Sequence, residues 1–327
     1  MERSSKIKRL SKHIPANISE KLGLIVIMLF IIVFFSITTK GLFFNLAKMT
    51  NIINILQASV LTGIVAVGVT FVIITGGIDL SVAGNCVLCA VTSGLLMERG
   101  VPWQLAMLVS ILVGIFVGFC NGLAVTKLHM VPFVTTLAMQ NITEGIAKTI
   151  TNSRTINGLP VEMTIFGQGK IFGIVPVSVV ILLVIFLLGT LLLTKTNYGR
   201  KLYAVGGNPN AAWLAGINTT SVILLTYVMT GFAAAIGANI VVSRLQGASL
   251  SIASNLSMDV VAACVVGGTS LMGGRGTVTG TLMGALIIAM INNGLNLMGV
   301  QASVQLIAKG VIIFVVIAYD SLRRKQS

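Results

Sequence analysis

Five charged side chains, Asp79, Glu144, Lys148, Asp259 and Lys309, sit within or beside long apolar runs. A charge held at the centre of a bilayer costs roughly 2.5–3.5 kcal/mol on insertion scales, so each must face protein, water or an opposite charge. Buried carboxylates in that setting can relay protons or bind sodium. Glu144 and Lys148 stand four apart, on one helix face, and can pair with each other. Lys309 can snorkel or pair with Asp259. Two aspartates near span ends also raise intramembrane proteolysis, but Ile78 occupies the position before Asp79 where a Gly-x-Gly-Asp signature needs glycine. Cys86 and Cys89 form a CxxC, yet His13 and His129 are remote in sequence, and zinc or redox sites need further ligands nearby. Gly169-Lys170 is followed by Ile171 and lacks the upstream glycine of a phosphate loop, and neither HExxH nor GxSxG occurs. No catalytic residue, metal or cofactor is expected, and the chain is read as moving a solute rather than transforming one.

The surroundings of these residues set the fold class. Of the 327 residues, 55% are hydrophobic and 9% charged, and the mean hydropathy is +0.99, against roughly 25% charged residues in a soluble domain. The apolar runs recur at about 20 residues, the length that crosses a hydrocarbon core as a helix. The chain is therefore all-α and polytopic, a single transmembrane domain over residues 1–327. Spans are expected near 22–38, 51–75, 81–97, 103–124, 132–151, 173–194, 219–242, 257–271, 277–297 and 303–319, about ten helices in all. The net charge of +14 could suggest nucleic acid, but its placement argues otherwise. With a cytoplasmic N-terminus, fourteen of the 22 basic residues fall inside, including Arg3, Lys6, Lys8 and Arg9 of the basic segment 1–21, and seven fall outside. That bias puts both termini in the cytoplasm and explains the charge by topology, with anionic lipid headgroups as a secondary partner and nucleic acid excluded.

Residues 51–152 and 219–319 can be laid side by side as four spans each, entered from opposite sides, the pattern of an inverted repeat. Glycines recur every four residues at Gly114, Gly118, Gly122 and at Gly276, Gly280, Gly284, which suits close helix packing. Two segments interrupt the apolar pattern. Thr75–Ser81 carries Gly76, Gly77, Asp79 and Ser81, with Asp79 and Ser81 suited to helix capping. Residues 267–276 carry Gly267, Gly268, Thr269 and further glycines. Both segments read either as tight turns at the inner face or as irregular stretches lining a pathway, since unpaired backbone at membrane depth is tolerated only against protein or water. Asn293 and Asn296 could present hydrogen bonds to a polyol or bond neighbouring helices. The longest inner loop, 195–218, breaks at Gly206-Gly207. There Asn208 can cap a short helix with Pro209 at its first position, Ala211 and Ala212 in its body and Gly216 at its end, either a docking element or an interfacial helix with Trp213 at the headgroups.

The segments GGIDLSV at 76–82, PFVTTL at 132–137, YGRKLYAVGGNPNAAWLAGIN at 198–218, VVGGTSLMGGRGTVTGTLMGALI at 265–287 and NNGLNLMGV at 292–300 follow in one order. Over essentially its whole length the chain resembles the permease subunits of monosaccharide-type ABC importers, the ribose, xylose, galactose and autoinducer-2 uptake family. The resemblance implies a permease in the bacterial cytoplasmic membrane, paired with a second copy or a paralogue. It further implies two cytoplasmic ATPase subunits and an extracytoplasmic sugar-binding protein, with residues 203–217 as the coupling helix that docks the ATPase. Arg244, Asp259, Lys309 and Asp320 stand where the family commonly has the same residue types. Ala83-Gly84-Asn85 and Glu144 depart from its pattern. The other reading of the residues is an ion-coupled secondary transporter of a small polar solute.

Overall fold

The computed structural model describes residues 16–44, 49–311 and 314, with side chains from Leu22 onward. Asp320, the end of the last expected span and the basic N-terminal segment lie outside the described side chains. Helices α1 (Ala16–Thr38), α2 (Thr50–Ile74), α3 (Val82–Glu98), α4 (Trp103–Lys127) and α5 (Pro132–Thr151) come first. After a segment with two short hairpin strands and a 3₁₀ turn at Val161–Phe166 follow α6 (Val177–Lys195), α7 (Asn197–Gly207), α8 (Pro209–Leu214), α9 (Thr219–Leu245), α10 (Leu256–Val266) and α11 (Val278–Leu297). A helix α12 runs through 302–311. Helices thus occur at all ten expected span positions, and α7 and α8 fill the loop between the sixth and seventh.

Among the described residues, α2, α4, α6, α9 and α11 are long and apolar enough to cross a membrane unaided. The helices α3, with 17 residues, and α10, with 11, are not. At ~1.5 Å per residue they reach only ~25 and ~16 Å, short of a ~30 Å hydrocarbon core. The expected span 257–271 is therefore corrected, because its helix stops at Val266 and glycines carry the chain onward.

The packing exchanges partners between the two halves, as a repeat requires. In the first half α3 packs on α4, and in the second α10 packs on α11. Across the halves α4 packs on α9 while α11 packs on α2, and α3 meets α9 while α10 meets α2. The centre is α2, whose residues 63–74 are all buried. Each exchange brings a long helix of one half against the first helix of the other, so α2 is largely enclosed by protein and α9 about half so, while α4 and α6 keep broad apolar faces outward. Leu108, Leu112, Phe116, Leu187 and Leu188 are among the exposed residues there.

The two glycine ladders serve different contacts. Gly114, Gly118 and Gly122 let α4 lie against α9: a Cβ on Gly114 would stand 2.6 Å from the Gly231 carbonyl oxygen, and one on Gly118 would overlap that of Tyr227. Gly280 and Gly284 instead meet Gly267 and Ala263 within the second half, and Gly276 precedes its helix. The ladders are therefore not repeat equivalents. Gly118→Val should force α4 from α9, at ~1–3 kcal/mol or more for overpacking. A lower melting temperature in detergent, set against Gly23→Ala where a Cβ meets nothing within 4 Å, would report it.

Candidate functional site

The turn from α2 into α3 begins where helix hydrogen bonding ends. Thr75 is the C-cap of α2, Gly76 takes a φ of +83°, and residues 77–80 have no regular secondary structure before Val82 opens α3. Protein groups take up much of its hydrogen bonding, while the Tyr227 hydroxyl beside Gly77 and Asn121 Oδ1 have no partner. Asp79 is 2% exposed; one of its oxygens accepts from the Ser81 amide at 2.9 Å and from the Ser81 hydroxyl at 2.6 Å. Asp79 thus folds the turn back on itself, while the backbone of Ser81 opens the helix without a side-chain cap. Asn121 of α4 donates to the Ser81 hydroxyl at 2.7 Å. Thr136 of α5 accepts from the Leu80 amide at 3.1 Å and donates to the Ile78 carbonyl at 3.2 Å. From the second half, Ser257 donates to the Leu80 carbonyl at 2.6 Å.

That last bond joins the segment entering α3 to the first turn of α10. The segment entering α10, residues 249–255, is irregular like 77–80, and each occupies the position between the first and second helix of its half. The counterpart of 75–81 in the repeat is therefore 246–255, not 267–276. Between them lies a cavity of about 380 Å³ lined by Leu80, Ala83 and Val87 of the first half, Gln140, Glu144 and Lys148 of α5, and Ser254, Asn255, Ser257 and Met258. Gln140 donates to Glu144 at 3.1 Å, and Lys148 stands 3.9 Å from Glu144. Of the departures noted in the sequence, Ala83 and Glu144 face this cavity. Asn85 turns away, donating to the Gly114 carbonyl at 3.2 Å.

The second interruption lies elsewhere. The Gly274 amide donates to the Ile74 carbonyl at 2.8 Å, so the loop before α11 closes on the end of α2. Gly206 of α7 seats on the same oxygen: a Cβ there would overlap Ile74 O and stand 2.7 Å from the Gly274 nitrogen. Tyr203 donates to the Gly276 carbonyl at 2.6 Å. Glycines of three segments, Gly76, Gly206 and Gly273–Gly274, thus meet backbone to backbone. Thr269, 2% exposed, lies beneath, 3.5 Å from Thr281, which is 2.7 Å from Thr70 of α2. Gly267 and Gly268 turn the chain out of α10, Gly268 with a φ of +87°.

The short helix forms as its residues dictate. The Asn208 side chain accepts from the Ala211 amide at 3.0 Å, Pro209 takes the first position, and Gly216, at φ +80°, lets the Ile217 amide reach the Ala212 carbonyl at 3.0 Å. Ala212 packs inward, while Trp213 and Leu214 are 67% and 78% exposed. Helix α7 went unread in the sequence: Gly206 and Gly207 are its last residues, not a break, and the chain turns at Asn208 instead. Its signal was Thr196, whose side chain caps by accepting from the Gly199 amide, followed by Tyr198, Leu202 and Val205 at helical spacing. Asn293 and Asn296 stand apart from both groups. Asn293 exchanges hydrogen bonds with Asn51 of α2 at 2.8 and 3.0 Å, and Asn296 accepts from Gln305 at 2.8 Å.

Residues 51–317 match the family described as branched-chain amino acid transport system / permease component. The ribose import permease of Bacillus subtilis is 39% identical over 279 residues, 85% of each chain. The D-allose transport system permease protein of Escherichia coli is 33% identical over 307 residues, 94% of this chain and 93% of that one. The autoinducer 2 import system permease of Yersinia enterocolitica is 34% identical over 282 residues, 86% of this chain and 77% of that one. No solved structure matches. The match spans both irregular turns, the cavity between the halves and the α7–α8 pair, and on it the chain belongs to this family of membrane-embedded transport permease components.

Proposed function

We propose that this chain is the membrane-spanning subunit of an ATP-driven importer and forms the translocation pathway for a monosaccharide or related small polyol. ATP is hydrolysed by separate cytoplasmic ATPase subunits. A second permease copy or paralogue and an extracytoplasmic sugar-binding protein complete the assembly, and both termini face the cytoplasm. The observation that carries the reading is the backbone junction of Gly206 with Ile74 and Gly274, which ties the helix pair α7–α8 to the ends of α2 and of the loop into α11. Exposed Trp213 and Leu214, with Ala211 and Gly207 beside them, give the ATPase a surface to grip. Motion of α7 is then delivered through Gly206 to Gly76, Gly77, Gly267, Gly268 and Thr269. Asp79 and Ser81 carry it to the cavity where the two halves meet. Bilayer-spanning helices are the frame against which the halves rock.

The family description names amino acids, and the relatives are named for ribose, D-allose and autoinducer 2. The cavity mixes the polar groups of Gln140, Glu144, Lys148, Ser254, Asn255 and Ser257 with an apolar wall of Leu80, Val87, Leu137 and Leu250, which suits a sugar's hydroxyls and its C–H face, and the names of the relatives point the same way. Liposomes decide between this reading and an ion-coupled carrier. Sugar uptake is expected only when ATPase, ATP and binding protein are all supplied. Uptake by the purified chain alone on an imposed proton or sodium gradient would replace the proposal with the carrier.

A further inference from the structure

A second cavity, about 370 Å³, lies on the flank of the bundle between α4, α6 and α9, lined by Trp103, Met107, Leu108, Phe166, Ile181 and Asn239 among others. It sits toward the end of the bundle away from α7 and α8, since Trp103 opens α4 at that end. Trp103 crosses Phe166 edge to face, ring centroids 5.8 Å apart, and a tryptophan at such a place marks headgroup level. The crevice is continuous with the outward apolar faces of α4 and α6, where Leu105, Leu108 and Leu183 are about half exposed. Two polar side chains line it, Gln104 at the exposed rim and Asn239 deeper in. Asn239 is 5% exposed and spends its amide N–H on the Met107 carbonyl at 3.4 Å. Its Oδ1 has no partner, although a buried acceptor left unmatched costs ~1–3 kcal/mol.

We propose that this crevice binds a single-chain membrane lipid with a free hydroxyl on its glycerol, of the lysophospholipid class. The volume falls in the range of small-molecule sites, ~300–1,000 Å³, and the slot between three helices suits one hydrocarbon chain along Leu108 and Ile181. Met107 lies one helical turn beneath Trp103, so Asn239 meets the ligand just below the headgroup. A monoacyl lipid carries a hydroxyl donor at that depth, whereas a diacyl phospholipid has both backbone positions esterified and brings none. The headgroup then rests beside Trp103 in the leaflet at that end.

The chain's two tryptophans make the test direct. In a Trp213→Phe variant, Trp103 is the sole indole, and bromine on an acyl chain quenches it on contact. Brominated lysophosphatidylcholine titrated into the purified variant in detergent should quench saturably, at lower concentration than brominated diacylphosphatidylcholine. Adding Asn239→Leu, which removes the unmatched oxygen and should not impair folding, should erase that preference. Adding Leu108→Phe, at the lipid-exposed rim, should weaken both. Equal quenching by the two lipids before Asn239→Leu, or a preference that survives it, overturns the proposal. Quenching by neither, with self-association in sedimentation, would assign the crevice to protein contact instead.

Discussion

Gly206→Val is expected to lower ATP-driven uptake by at least tenfold in the reconstituted importer while the chain still inserts and still recruits its ATPase. Position 206 is where α7 touches the membrane helices backbone to backbone: any Cβ there overlaps the Ile74 carbonyl oxygen, which also accepts from the Gly274 amide at 2.8 Å. Overlap against backbone cannot be relieved by a rotamer change, so α7 must lift from the end of α2 or the Gly274 bond must open. Overpacking of this kind costs ~1–3 kcal/mol, and ~1.4 kcal/mol is tenfold in an equilibrium between the coupled and uncoupled arrangement. The partner's surface is untouched, because exposed Trp213 and Leu214 belong to α8. ATP hydrolysis should therefore continue without matching transport. Gly207→Ala, where a Cβ meets nothing within 4 Å, should act more mildly. Aspartate at exposed Ala211 should instead weaken ATPase binding itself. Uptake by Gly206→Val equal to that of the unmodified chain would remove the junction from the transmission path.

How much of this was legible follows the range of each interaction. The positions of the apolar helices, the cap of α8 by Asn208 and the need of Lys309 to snorkel or pair are governed by residues a few positions apart or by the prohibition on lone charges in lipid, and the sequence announces them; which of the two Lys309 does, and which helices span, it leaves open. The half-length of α10 was hidden because Ala262–Val266 is as apolar as a span, and only the glycines after it say that the chain has stopped climbing. The likeness between the two glycine-rich segments does not follow the order of the repeat. GGIDL at 76–80 and GGTSL at 267–271 look alike because both must bring backbone close to backbone, while the true counterpart, 246–255, does its task with a different sequence. Convergence of Gly76, Gly206 and Gly273 joins residues some 200 positions apart, and no local pattern encodes such a meeting. Asn293 shows a different case: a polar side chain at membrane depth reads equally as a solute contact or a bond to a neighbouring helix until its partner, Asn51, is seen.

Asp259→Asn or Lys309→Met alone should destabilise the chain strongly, and Asp259→Asn with Lys309→Met together should restore most of the loss. Lys309 Nζ stands 3.0 Å from each carboxylate oxygen of Asp259, and the two side chains are only 15% and 16% exposed. Helix α12 is largely exposed over its described length, so this pair is a principal polar tether holding it to α10. Breaking one partner strands a charge in a poorly hydrated place, a loss of ~3–5 kcal/mol for buried pairs, whereas removing both charges strands none. Melting curves in detergent for the two single variants and the double form a cycle whose coupling energy measures the tether. Strict additivity would mean that the charges do not sense one another. The same double variant separates the two transport mechanisms. A carrier that moved protons or sodium through Asp259 would keep its fold in the neutral pair and lose transport. An importer driven by ATP on partner subunits needs Asp259 only to hold α12 in place, so the neutral pair should fold and still import sugar.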